Sequence, residues 1–62
     1  MPIVTIKLIE GRDVEVKRGL VKDVTDAICR NIGCPQDAVS IDIIEFTNEN
    51  LAKSGKLFID GR

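Results

Sequence analysis

The spacing of apolar residues changes twice along this chain, and this change limits the possible folds more than any other feature of the sequence. Residues 3–9 read IVTIKLI, a β-branched run that is typical of a strand. From Val14 to Ile32 the apolar residues recur at steps of three and four, as they do along one side of an α-helix. Residues 39–46 return to the alternating strand pattern. This order predicts a small α/β fold, a βαβ unit with parallel strands and a right-handed crossover.

The ends of the predicted helix are marked by residues that favour helix termini. Asp13 is a predicted N-cap, Gly33 is a predicted C′ residue, and Pro35 prevents the helix from continuing. Gly19 lies inside the helix, where glycine costs about 1 kcal/mol relative to alanine. We therefore expect Gly19 to pack closely against another backbone.

The C-terminal segment carries the signals of a short strand or hairpin. Residues 47–50 read TNEN and predict a polar loop. Ser54 and Gly55 predict a turn, and residues 56–59 predict a short strand after it. Because no linker or internal repeat interrupts the pattern, we predict a single domain over residues 1–62.

The length of the chain makes an independent fold difficult. A domain of 62 residues is marginal unless disulfides, a metal or partner subunits support it. Cys29 and Cys34 are too few for a disulfide framework, and without histidine they cannot complete a four-ligand zinc site. We therefore predict no metal and no cofactor, and expect stability to come from other subunits.

The predicted sheet has one face that its single helix cannot cover. Parallel sheets are normally covered on both faces. The apolar residues expected on the second face are Ile3, Ile9, Ile44 and Phe46. This surplus of apolar surface predicts a homo-oligomer, in which the sheets of two chains pair edge to edge and the dimers associate further.

The charge balance excludes several classes of function. Nine basic and ten acidic residues give a formal charge of −1, which argues against a nucleic-acid partner. No apolar run approaches the roughly 20 residues that span a bilayer, and no secretory signal pattern begins the chain. We therefore predict a cytoplasmic protein that has no membrane partner. The absence of histidine also excludes a histidine general base.

Pro2 and Arg12 are the residues that could carry chemistry. Proline is tolerated at the start of a strand, so Pro2 could be structural alone. Removal of Met1 would instead expose a secondary amine. Burial and a nearby cation would lower the pKa of this amine towards neutrality. Such an amine could act as a general base. Arg12 could be a solvated loop residue, a cap for backbone carbonyls, or a binding group for a substrate carboxylate.

The order of these residues resembles the 4-oxalocrotonate tautomerase family. The similarity includes the Met-Pro-Ile start, the Ile-Glu-Gly-Arg sequence that ends at Arg12, the helix exit at Gly33 and Pro35, and the overall length. The resemblance implies an isomerase that interconverts the enol and keto forms of an unsaturated 2-hydroxy acid such as 2-hydroxymuconate. It also implies hexamers built of three dimers, with active sites that draw residues from more than one chain.

The resemblance assigns roles to particular positions. Pro2, exposed after loss of Met1, corresponds to the general base, Arg12 to an arginine that holds a substrate carboxylate, and Ile9 to an apolar wall. Ser40 stands where the family carries a second arginine, and Leu51 stands where it carries an aromatic residue. Serine cannot supply the charge of the missing arginine.

The residues near the C-terminus offer a replacement for that charge. Lys53 or Lys56 could supply it, although surface lysines are more often only solvated. The departures at Ser40 and Leu51 leave other hypotheses open. The substrate could be a monoacid or an arylpyruvate-type enol, or the fold could serve as a non-catalytic, silent subunit of an oligomer.

Other reactive side chains have simpler interpretations. Cys29 and Cys34 are expected to be small packing residues. Asp42 and Glu45 fall on opposite faces of the second strand, so they do not form an obvious acid–base pair. We expect Glu45 to cap the end of the sheet or to pair with a basic residue.

Overall fold

The fold is a strand–helix–strand unit followed by a small hairpin, as seen in a computed structural model that describes residues 1–61. Its elements in chain order are β1 (Ile3–Ile9), α1 (Val14–Ile32), β2 (Ser40–Phe46), β3 (Ala52–Lys53), β4 (Lys56–Leu57) and α2 (Phe58–Gly61). Single turns of 3-10 helix at Gln36–Ala38 and Asn48–Asn50 lie on either side of β2. The predicted single domain extends to Arg62, which lies outside the described residues.

β1 and β2 pair in parallel, which confirms the predicted βαβ unit. The register places Ile3 beside Ser40 at one end and Ile9 beside Phe46 at the other. The alternate apolar residues of each strand that face α1 are half-buried. The other face of the sheet is open, and on it Ile3 is 73% exposed and Ile44 is 42% exposed.

α1 begins and ends at the residues that the sequence predicts. The Asp13 side chain accepts a hydrogen bond from the Val16 amide at 3.0 Å, as an N-cap does. Gly33 has a φ of 83°, and its amide donates to the Cys29 carbonyl at 2.9 Å. Gly19 does not make the expected close contact, because a Cβ placed on it would meet no atom within 4 Å.

The C-terminal segment differs in part from its prediction. The turn at Ser54 and Gly55 is confirmed, and both residues have positive φ, at 54° and 80°. The strand predicted over residues 56–59 ends at Leu57, because Phe58 begins a short helix and its amide donates to the Leu51 carbonyl at 2.9 Å. Val39 likewise precedes β2, because its amide closes the preceding 3-10 turn on Gln36.

The chain has little interior of its own. Among residues 1–61 no side chain is fully buried. The radius of gyration is 14.8 Å, whereas about 10–11 Å is expected for a compact chain of this length. The exposed area is 4713 Å², whereas a compact monomer of 6.8 kDa exposes roughly 4000 Å². Within the described part of the chain, no helix is long and apolar enough to cross a membrane.

Candidate functional site

Pro2 and Ser40 lie together at the amino ends of the two parallel strands. The Ser40 amide donates a hydrogen bond to the Pro2 carbonyl at 3.0 Å, which extends the strand pairing by one residue. Pro2 is half-buried, whereas Met1 before it is 83% exposed. The backbone that carries the Pro2 nitrogen is therefore held in place by the sheet, and the residue that blocks this nitrogen is accessible.

Ile9 and Arg12 lie at the opposite end of the sheet. Ile9 is the last residue of β1, and the Arg12 guanidinium donates through Nη1 to the Ile9 carbonyl at 2.8 Å. Gly11, with a φ of 128°, makes the turn that brings the arginine back onto the strand. Arg12 is exposed, and a guanidinium has five N–H donors, so most of its donors remain available for a carboxylate.

One chain does not bring the predicted base and the predicted carboxylate holder together. A strand as long as β1, seven residues, separates Pro2 from Ile9. At about 3.3 Å per residue, this separation is roughly 20 Å. A cation at that distance lies beyond the screening length of about 8 Å at physiological ionic strength and has little influence on the amine of Pro2. A site that contains both groups must therefore join the two ends of different chains.

Leu51 lies beyond the carboxyl end of β2, where the C-terminal hairpin begins. It is half-buried, and its carbonyl accepts the Phe58 amide at 2.9 Å. Leu51 therefore belongs to the same half of the chain as Ile9 and Arg12. The five predicted site residues separate into Pro2 and Ser40 at one end of the sheet and the other three towards the opposite end.

Other charged residues stabilise the scaffold. Lys17 on α1 pairs with Glu45 on β2 at 2.8 Å, which confirms that Glu45 has a basic partner. Asp42 lies on the open face and accepts a hydrogen bond from the Thr5 hydroxyl at 3.0 Å. The two carboxylates therefore face opposite sides of the sheet and do not act as a pair.

The sequence alone assigns no role to Asp26, although its i, i+4 spacing from Lys22 is typical of an ion pair on a helix. Its carboxylate accepts hydrogen bonds from Lys22 at 3.0 Å and from Gln36 at 2.7 Å. The hydrogen bond from Lys22 is the main cause that lowers the pKa of Asp26, and Gln36 contributes in the same direction. Asp26 thus connects α1 to the segment that leads into β2.

The two cysteines lie close together at the end of α1. Both are half-buried free thiols. Burial, followed by a hydrogen bond with the Cys34 thiol, raises the pKa of Cys29. A raised pKa reduces the thiolate fraction, so Cys29 is a poor nucleophile. In residues 1–61 no group of three or more His, Cys, Asp or Glu side chains could hold a metal ion.

The C-terminal hairpin carries a feature that the sequence indicated only as two separate lysines. Lys53 and Lys56 are direct partners across β3 and β4. A groove of about 410 Å³ lies beside them, lined by Lys53, Ser54, Lys56, Leu57, Phe58 and Gly61. The two-residue turn between the lysines is the sequence signal that predicts this pairing.

Comparison with known proteins supports the arrangement of these elements. The sequence model of a family described as tautomerase enzymes matches residues 2–61. A probable tautomerase of Bradyrhizobium diazoefficiens is 40% identical over 60 residues, which cover 97% of this chain and 90% of that protein. The 2-hydroxymuconate tautomerase of Bacillus subtilis is 38% identical over 60 residues, with 97% of each chain covered.

Solved structures share the fold as well as the sequence pattern. The structure of YwhB, a homologue of 4-oxalocrotonate tautomerase, has a TM-score of 0.93 and 36% identity, with 98% of this chain and 100% of that chain covered. A heterohexamer 4-oxalocrotonate tautomerase of Chloroflexus aurantiacus has a TM-score of 0.92 at 24% identity over the whole of both chains, which shows the shared fold. With its family match, its relatives and its βαβ architecture in agreement along nearly the whole length, this chain belongs to the tautomerase family.

Proposed function

We propose that the protein is an isomerase that interconverts the enol and keto forms of a small unsaturated 2-hydroxy acid, such as 2-hydroxymuconate. The observation that carries the proposal is the placement of Pro2. It is held by the backbone hydrogen bond from Ser40, and Met1, the residue before it, is exposed. Loss of Met1 converts the Pro2 amide nitrogen into a secondary amine at a fixed position, which suits a general base.

The proposed reaction is a proton transfer that needs no further reactant. The Pro2 amine takes the proton of the 2-hydroxyl group, and the electron pair of that O–H bond forms the carbonyl. The double bonds shift, and the protonated proline returns its proton to a carbon of the substrate. Arg12 holds a carboxylate of the substrate, while Ile9 and Leu51 provide apolar walls. Ser40 offers a hydroxyl group beside the base.

The proposed site is completed by other copies of the chain in a homo-oligomer, which we infer to be a hexamer built as a trimer of dimers. Two observations support this. The open sheet face leaves Ile3 and Ile44 exposed, and the chain is more extended than a compact domain of its length. Pro2 and Arg12 can meet only if they come from different chains, since roughly 20 Å separates them along one sheet.

The proposal is tested first by intact mass and activity. We expect the mature protein to begin at Pro2 and to ketonise 2-hydroxymuconate. Replacing Pro2 by alanine, with Met1 still removed, should lower kcat by orders of magnitude, whereas Arg12→Ala should mainly raise KM. A processed protein whose Pro2→Ala variant keeps the full rate would exclude the mechanism.

A second candidate is a proline-dependent activity on a monoacid, and the uncharged Ser40 favours it. With only Arg12 as an assigned cation, the site holds one carboxylate, as an arylpyruvate-type enol requires. Parallel assays on phenylenolpyruvate and 2-hydroxymuconate separate the two substrate classes. Absence of turnover of both by the processed protein would favour the third hypothesis, a non-catalytic subunit of an oligomer.

A further inference from the structure

The C-terminal hairpin holds two like charges directly opposite each other. Lys53 and Lys56 are cross-strand partners, and antiparallel partners have Cα atoms about 5.5 Å apart or less, with side chains on the same face. Like charges in this position destabilise a hairpin. The pair therefore costs free energy unless an anion lies between the two ammonium groups.

Nothing in the described chain supplies that anion. Within residues 1–61 the ion pairs join Lys17 to Glu45, Arg18 to Glu15 and Lys22 to Asp26, and neither hairpin lysine has an acidic partner. Among residues 1–61, none of those that line the neighbouring groove has a side-chain carboxylate. Both ammonium groups are therefore available to a ligand.

The geometry of the hairpin holds the backbones of the two lysines side by side. Ser54 and Gly55 both have positive φ, as in the two-residue turns that join adjacent strands tightly. The Lys56 side chain extends over α2, because a Cβ placed on Gly61 would lie 3.6 Å from its Cδ and 3.7 Å from its Nζ. The groove beneath combines these cations with the apolar side chains of Leu57 and Phe58. This combination suits a carboxylate on a short hydrocarbon chain.

We propose that Lys53 and Lys56 form a carboxylate-binding cradle, which supplies the charge that Ser40 lacks and makes the site selective for dicarboxylates. This inference rests on the proposed function, because the cradle acts on the same substrate as Pro2. The hairpin follows the carboxyl end of β2, in the half of the chain that carries Arg12. In the oligomer, Arg12 and the cradle of one chain therefore lie beside the Pro2 amine of a neighbouring chain. Arg12 binds one carboxylate of the substrate, and the cradle binds the other.

The test compares the double variant Lys53→Met/Lys56→Met with the processed wild-type protein on a dicarboxylate enol and a monocarboxylate enol. We expect KM for 2-hydroxymuconate to rise at least tenfold and KM for phenylenolpyruvate to change less than twofold. Lys53→Arg/Lys56→Arg should retain wild-type KM, since it keeps both charges. Arg30→Met, which removes an exposed cation that forms no ion pair within residues 1–61, is the matched control and should behave as wild type.

Binding of a non-reacting ligand keeps this inference separable from the catalytic proposal. Titration calorimetry of the processed protein with adipate, a saturated dicarboxylate, should show binding that the double methionine variant weakens at least tenfold, and hexanoate should bind weakly to both. Lysine-dependent adipate binding without turnover would overturn the proposed function and support the cradle. Turnover of 2-hydroxymuconate with an unchanged KM in the double variant would overturn the cradle alone.

Discussion

At the scale of single residues, Ser54 is the position where backbone conformation and residue type disagree most. Its φ is 54°, a region that a side chain with a Cβ disfavours and that asparagine and glycine tolerate better. We expect Ser54→Asn to raise the free energy of unfolding by about 0.5–1 kcal/mol. Urea denaturation measures this change. Ser54→Ala is the comparison, since it keeps the strained φ, and a gain of the same size from alanine would contradict the explanation.

Cys29 illustrates how a neighbouring residue sets reactivity. Burial and the Cys34 thiol raise its pKa, so a smaller fraction is thiolate at a given pH than in an ordinary cysteine. The rate of Cys29 alkylation by iodoacetamide should therefore reach half its maximum at a higher pH than for a free cysteine peptide. In Cys34→Ala the midpoint should move down, because one cause of the raised pKa is removed. An unmoved midpoint would assign the effect to burial alone.

At the scale of elements, the N-terminus of α1 depends on a single side chain. Asp13 accepts the Val16 amide at 3.0 Å. Replacing it by alanine should lower the free energy of unfolding by about 1 kcal/mol, whereas serine should retain most of the cap. Chemical denaturation of Asp13→Ala measures the loss. Asp23→Ala, at an exposed position within α1, is the control and should cost much less.

The connection between α1 and β2 should weaken in acid because of Asp26. Its pKa is lowered in the folded chain, so its stabilising contribution is complete above the unfolded value of about 3.9 and is lost as the pH falls through the folded value. The wild type should be more stable than Asp26→Asn at pH 7, and the difference should shrink below about pH 4. Urea midpoints at several pH values test this. A difference that persists at pH 2 would show that the charge is irrelevant.

The elements also show what a sequence can specify. The bounds of α1 follow from local signals, namely the cap at Asp13 and the positive φ at Gly33. The end of β4 does not follow from local signals, because a two-residue strand has no measurable period. The helical turn after it depends on the contact between Phe58 and Leu51. Gly19 was expected to have a close neighbour that the single chain lacks.

The residues of the proposed site are named from the sequence, but their arrangement is not. The order of Pro2, Ile9 and Arg12 indicates the tautomerase family. Their positions at opposite ends of one sheet follow from the parallel pairing. Which two chains bring Pro2 and Arg12 together is a property of the assembly. The periodicity of residues within one chain does not encode it.

At the scale of the whole molecule, assembly should dominate stability. No side chain among residues 1–61 is fully buried, and Ile3 and Ile44 lie exposed on the open sheet face. We expect the melting temperature to rise with protein concentration, as it does for subunits that fold together. Ile44→Asp should shift sedimentation towards smaller, less stable species, while Glu49→Lys in the exposed 3-10 turn after β2 should not. A folded monomer at micromolar concentration would contradict this prediction.

The separation of Pro2 from Arg12 along one sheet also has a genetic consequence. If each reaction centre takes its base from one chain and its arginine from another, a cell that carries two alleles builds mixed centres. An Arg12→Ala chain would then inactivate centres whose Pro2 amine comes from a wild-type chain. The allele that encodes it would therefore behave as dominant. Conversely, two inactive alleles, one altered at Pro2 and the other at Arg12, would together restore some function, because part of their mixed centres would contain neither defect.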